Sequence, residues 1–121
     1  MEICLRLPWP PSVNRLWRTT KQGKMYMTKE AKKYKKCVWA YCVSIAAFRF
    51  AITDVLDATL YAYPPDKRKR DLDNLVKVIL DSLQYAGIIP NDNQVKSIFM
   101  EMKDAVPETE GWVLVQIKSR D

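Results

Sequence analysis

The sequence predicts an α+β fold, a single domain over residues 1–121 in which a small mixed sheet packs against two main helices in the order β-α-β-α-β-β. Segments that alternate apolar and polar with period two are interleaved with two long stretches whose apolar residues recur at helical spacing. A chain of 121 residues has room for one core and not for two. Hydrophobic residues make up 48%, only three glycines are present and nothing repeats, which leaves no place for a disordered tail or a flexible linker.

Ile3, Leu5 and Leu7 alternate with Glu2, Cys4 and Arg6, the pattern of a strand with one buried face, and the strand stops at Pro8. Pro8-Trp9-Pro10-Pro11-Ser12 cannot carry a ladder onward. The polar, basic stretch from Val13 to Lys24 reads as a loop, with a hairpin allowed through Gly23. Trp9 and Trp17 are read either as lids on the core or as stacking residues beside DNA. Thr28 is a good N-cap, and Ala31, Tyr34, Val38, Tyr41, Cys42 and Ile45 follow at helical spacing. Lys29, Lys32, Lys33 and Lys36 gather opposite that stripe, a ridge suited to a phosphate backbone or to plain solvation. Period two returns from Val55 to Tyr63 and ends at Pro64-Pro65. A second helix carries the stripe Leu72, Leu75, Val76, Ile79, Leu80 and Leu83 and ends at Gly87. Val95–Lys103 and Trp112–Lys118 read as strands joined by a turn at Pro107–Gly111, and a hairpin is expected between them.

Composition narrows the chemistry. A formal charge of +6 and a pI near 9.3 favour a polyanionic partner, nucleic acid before membrane. The chain has no histidine, which removes Ser-His and Cys-His nucleophiles, histidine bases and histidine-held metals. Any catalysis must run on carboxylates and lysines, with hard cations such as magnesium or manganese held by oxygen. Cys4, Cys37 and Cys42 have no C-x-x-C spacing and sit among apolar residues, as expected of buried thiols in a reducing cytosol. No signal-peptide pattern and no membrane-length apolar run occur, so a cytoplasmic location is expected.

The pointed features fall between Tyr63 and Asp92. Lys67, Arg68, Lys69 and Arg70 run directly into Asp71 and Asp73, and Asp92 follows a Pro90-Asn91 turn. Asp73, Lys77 and Asp81 form an i, i+4, i+8 row along one edge of the second helix. If Asp71 were helical it would face away from Asp73, so a shared metal requires the helix to begin between them. The turn at Gly87 is expected to return Asp92 to the same end. On this reading three acids hold one or two hard cations, Lys77 offsets charge on the phosphate under attack, and the basic run draws in the backbone. The plainer account makes Asp71 an N-cap, Asp73 a first-turn charge, Lys77 its partner and Asp92 a turn residue. That account corresponds to a non-catalytic, basic nucleic-acid-binding protein, and a nuclease for flaps or RNA would keep the same acids.

The run R-D-L-D-N-L-x-K-x-x-x-D with a later N-D, preceded by P-W-P-P-S-x-N-R near the N-terminus, resembles the RusA-type Holliday junction resolvases of bacteria and their prophages. The resemblance spans nearly the whole chain. It implies magnesium-dependent endonuclease action, with manganese a possible substitute, on four-way DNA junctions in recombination and repair. It also implies a homodimer that places paired symmetric nicks, since two equivalent strands need two equivalent sites. The family's metal-binding acids fall on Asp71, Asp73 and Asp92, and its catalytic lysine on Lys77. Asn74 and Arg70 match as supporting positions, and Asp81 is a further, more remote candidate for that role. Arg70 stands with Lys67, Arg68, Lys69, Asn14 and Arg15 as the candidates for contact with DNA. Two departures are visible: Asn91 stands where many relatives carry another acid, and Trp17 where a tyrosine is common.

Overall fold

The computed structural model describes residues 1–11 and 17–120, with 17–19 and 25 described by their backbone alone. Six strands and two helices follow in the order β1 (Glu2–Pro8), β2 (Trp17–Thr19), β3 (Met25–Met27), α1 (Lys29–Ser44), β4 (Leu56–Tyr63), α2 (Leu72–Tyr85), β5 (Val95–Met102) and β6 (Trp112–Ser119). The expected α+β architecture is present, and the hairpin allowed through Gly23 forms as β2 and β3, with Gly23 at φ +82° in its turn.

The main sheet is four-stranded in the order β1-β6-β4-β5. β6 runs antiparallel to both β1 and β4, while β5 runs parallel to β4. The expected β5–β6 hairpin is therefore absent. α2 reverses the chain after β4, so β5 starts level with Leu56 and adds to β4 in the parallel sense. Residues 103–111 then wrap round the end of β4, with Lys103 N–H on the Ala62 carbonyl and Val106 N–H on the Pro64 carbonyl, and set β6 down on its other side.

Period two decides which face is dry. Leu5, Val115 and Leu60 share one row across β1, β6 and β4, and Leu7, Val113 and Ala62 the next; all are buried. Both helices cover this face. α1 starts at Thr28, whose Oγ1 accepts from Ala31 N–H at 3.3 Å, and is fixed to β1 by Tyr34 Oη donating to the Pro8 carbonyl at 2.7 Å. α2 inserts Leu75, Ile79 and Leu83, and a fully buried side chain of this size contributes about 1.5–3 kcal/mol. Ile45, expected on the α1 stripe, caps that helix and is exposed. Of the cysteines, only Cys42 is buried; Cys4 lies on the uncovered face of β1 and Cys37 on the outside of α1, which corrects the expectation of three buried thiols. No helix among the described residues is long and apolar enough to cross a membrane.

Candidate active site

The acidic motif lies where β4 hands over to α2. Pro64 and Pro65 end the strand, and the chain stays irregular until Asp71, which adopts φ −89°, ψ 128° and is the residue from which α2 departs. The helix thus begins between the two aspartates, as their pairing requires. Asp71 occupies the N-cap position without capping: its Oδ2 accepts from Asn74 Nδ2 at 3.3 Å. Asp71 and Asp73 are both exposed at the positive end of the helix, where carboxylates are favoured. Asn74 is thereby placed as a support of Asp71.

The basic run before them is folded tightly. Asp66 accepts from the backbone N–H of Arg68 at 3.0 Å, from Arg68 Nε and Nη2, and from Arg70 Nη2 at 2.8 Å. Arg70 also donates Nη1 to the carbonyls of Asp66 and Arg68, and its guanidinium lies 5.2 Å from the centre of the Trp9 ring. The hydrogen bonds from Arg68, then that from Arg70, hold the Asp66 carboxyl well below the usual carboxylate range. Lys67 and Lys69 point outward, exposed and outside any ion pair among the described residues. Asn14 and Arg15 lie outside the described residues.

Lys77 sits one turn beyond Asp73, exposed, on the same flank of α2. Asp81 does not continue that flank: it lines a crevice with Ala31, Tyr34 and Lys35 of α1. It is about 12 Å along the axis from Asp73, so it supports nothing at the helix start within one chain.

Asp92 is not returned to the start of the helix. It opens a 3-10 turn (Asp92–Gln94), and its N–H donates at 3.0 Å to Oε1 of Gln84, in the last turn of α2. α2 has 14 residues, about 20 Å at ~1.5 Å per residue, and that length separates Asp92 from Asp71 and Asp73. The cause is the parallel β4–α2–β5 crossover. A helix that returns the chain for a parallel strand leaves its own start and the start of the next strand at opposite ends of the sheet. Accordingly, no group of three acidic, cysteine or histidine side chains among the described residues is close enough to hold a metal.

Asn91 and Gln94 lock the turn. Asn91 Oδ1 accepts from Asn93 N–H, Gln94 Oε1 accepts from Asn91 N–H, and the buried Gln94 amide donates to the carbonyls of Ala51 and Asp54. Gln84, Gln94 and Asp66 are supporting residues that the sequence reading did not single out, while Trp9, read there as a core lid or a stacking residue, packs on the core beneath Arg70. The spacing of Asn91 and Gln94 is the one legible trace, a capping box.

One flank of α2 draws these pieces together. Val78, Asp81 and Ser82 face α1 across the crevice that they line with Ala31, Tyr34 and Lys35. At ~100° per residue, Asp73, Lys77, Leu80 and Gln84 form the opposite flank, above the β5 edge. There the core layer stands open. Ile98 of β5 is 45% exposed although its row-mates Ala58, Ile117 and Ile3 are buried, and Leu72 is 40% exposed. The flank therefore runs from an acid pair at one end, past Lys77, to Asp92 at the other. Asp71 and Asp73 offer hard oxygen donors of the kind that suit a magnesium-type ion, and Asp92 lies at the far end of the same helix.

Residues 8–118 match the family described as endodeoxyribonuclease RusA. The crossover junction endodeoxyribonuclease rusA of Enterobacteria phage HK97 is 37% identical over 92 residues, covering 76% of this chain and 75% of that protein. The protein of the same name from Escherichia coli K12 is 35% identical over 91 residues, 75% of this chain and 74% of its own length. That of Enterobacteria phage 82 is 34% identical over the same length. The matched span takes in the β4–α2–β5 crossover with both its acidic ends, and the chain belongs to the endodeoxyribonuclease RusA family.

Proposed function

We propose that this protein is a crossover junction endodeoxyribonuclease that hydrolyses phosphodiester bonds at four-way DNA junctions, acting as a homodimer with magnesium or, in its place, manganese. The observation that carries the reading is the pair of exposed carboxylates, Asp71 and Asp73, at the start of α2 beside outward-facing Lys67 and Lys69. Family membership supports the substrate, since the relatives are named for crossover junctions.

Asp71 and Asp73 would hold the ion together with Asp92 of a second copy. A twofold axis crossing α2 between Lys77 and Leu80 would lay two helices antiparallel and bring each acid pair to the other chain's Asp92. It would also cover Ile98 and Leu72. A divalent ion so held supplies Lewis-acid polarisation of the phosphate. Lys67 and Lys69 bind the flanking phosphates, and the Lys77 ammonium group offsets negative charge that grows at phosphorus. Asn74 keeps Asp71 oriented. Two such sites per dimer give one nick in each of two equivalent strands, the outcome that resolution in recombination and repair requires.

The test uses a synthetic four-way junction with magnesium. Wild-type protein should give symmetric nicks, and Asp73→Asn should lower the rate by at least ~10³-fold while binding the junction as tightly or more tightly, because one repulsive charge is gone. An Asp73→Asn protein that nicks normally, or a wild type that leaves junctions intact, refutes the reading. The second outcome, combined with salt-steep, magnesium-independent binding, would identify a binding module instead.

A further inference from the structure

We infer that the outward face of α1 is a second phosphate-binding surface, on which Lys29, Lys32, Lys33 and Lys36 hold the backbone of a duplex arm leading away from the acid pair. The inference rests on the nuclease reading and adds residues that it does not use.

Ala31, Tyr34, Val38 and Cys42 of α1 are buried, and at ~100° per residue the four lysines occupy an arc of about 100° centred opposite them. All four are exposed, and neither they nor Glu30, the one acid of the helix, takes part in an ion pair among the described residues. A lysine face that serves only solubility is commonly mixed with acids at i+3 and i+4 and carries its cations towards the C-terminal end. α1 does the reverse. Its four lysines stand three or four residues apart, so each has like-charged neighbours along the ridge. They fall in the first half of the helix, nearest its positive pole, while the last turn holds no cation. Both effects oppose the helix. An arrangement that the fold is better without is accounted for by an external polyanion, which relieves both repulsions on binding.

The ridge stands at the same end of the molecule as the acid pair. Tyr34 fastens this half of α1 to Pro8, Pro8 pairs with Trp112, and Trp112 pairs with Tyr63, where β4 ends and the chain leads on to Asp71. On its inner side the same half faces Val78 and Asp81, within about 12 Å along α2 of Asp73. Because α1 lies on the flank of α2 away from the β5 edge, the twofold axis proposed above leaves one ridge on each outer side of the paired sites, one for each of two arms. From Lys29 to Lys36 is about 10 Å, over which one strand of a duplex presents about three phosphates. Duplex DNA suits this face better than an anionic membrane, since the buried apolar side of α1 is spent on the core and is not free to enter lipid.

The experiment measures binding of a synthetic four-way junction without magnesium as salt is varied. It compares wild type, a Lys29→Gln/Lys32→Gln/Lys33→Gln/Lys36→Gln variant, and Lys118→Gln, which removes an exposed cation from the helix-free face of the sheet. In the fourfold variant the slope of log K against log salt should fall by about 2.7, with affinity ~10²–10³-fold weaker at about 0.1 M salt and the difference nearly gone at about 1 M. Lys118→Gln should keep the wild-type slope. The fourfold variant should also melt at the wild-type temperature or above it, because like charges have left the helix. An unchanged slope, the same loss per lysine in Lys118→Gln, or a fourfold variant that melts well below wild type would each overturn the proposal. So would binding of wild type to phosphatidylserine vesicles that matches junction binding and is lost in the fourfold variant. If wild type leaves junctions intact with magnesium while the slope difference holds, the nuclease reading fails and the ridge stands as a DNA-binding surface. If wild type nicks and the slopes agree, the ridge alone fails.

Discussion

Asp57 shows how much one exposed residue can be asked to join. It lies on β4 and accepts from Nε and Nη2 of Arg120 and from Ser97 Oγ of β5, while Arg120 N–H reaches the Val55 carbonyl. The Arg120 hydrogen bonds, then that of Ser97, bring its carboxyl down to about 2 from 3.8. A depressed folded-state value means that the contribution to stability is complete above the ordinary carboxylate range and is lost as pH falls from ~4 towards 2. Asp57→Asn should therefore lower the urea midpoint at pH 6, and the difference from wild type should shrink below pH 4. A gap that stays constant down to pH 2.5 contradicts the assignment. Single residues were also where reading from sequence reached least far. Arg70 and Lys69 are neighbours of like charge, and nothing in a run of cations distinguishes the one turned back onto Asp66 from the one left in water. The distinction arises from Trp9, which is far away in the chain and close in space.

At the scale of elements, periodicity carried most of the fold. The strands at Ile3–Leu7, Leu56–Tyr63 and Trp112–Ser119 bury alternate residues as their patterns require; α1 starts at its expected Thr28 cap, and α2 starts between Asp71 and Asp73 although Asp71 makes no capping hydrogen bond. Pairing was less legible, because alternation states which face of a strand is dry and not which strand lies beside it. β5 and β6 are adjacent in the chain with a turn-forming Pro107–Gly111 between them, yet β4 lies between them in the sheet. Gly111 marks the close passage that this connection demands. Its φ is +75°, and a Cβ there would meet the Tyr63 carbonyl oxygen at 2.7 Å and Pro65 at under 3 Å. Gly111→Ala should cost about 1–3 kcal/mol in chemical denaturation, against a few tenths for an exposed residue in the same connection. The misplaced Asp92 follows from the same ambiguity. Once β5 runs parallel to β4, the residues just before it must lie at the far end of α2.

For the whole molecule, the division of the acids between two ends of one helix becomes a question of subunits. In a mixed population of Asp73→Asn and Asp92→Asn chains, a site completed across the dimer gives each heterodimer one intact set and one doubly damaged set. Mixing two inactive proteins should then restore nicking of one strand, at up to about half of the wild-type yield per dimer. A site confined to one chain predicts no recovery at any mixing ratio. The open core at Ile98 and Leu72 identifies the surface to disrupt as a control, since a charge there should separate the copies without touching either acid. Whole-molecule order has a second consequence. β6 is the strand that joins β1 to β4, and it is the last of the sheet to leave the ribosome. Until it emerges, β1 has no partner in the sheet, and the core lacks the row of Val113, Val115 and Ile117 that joins β1 to β4. The sheet therefore closes only after β6 has emerged, and a nascent chain stalled before that point displays apolar surface rather than a partly built enzyme.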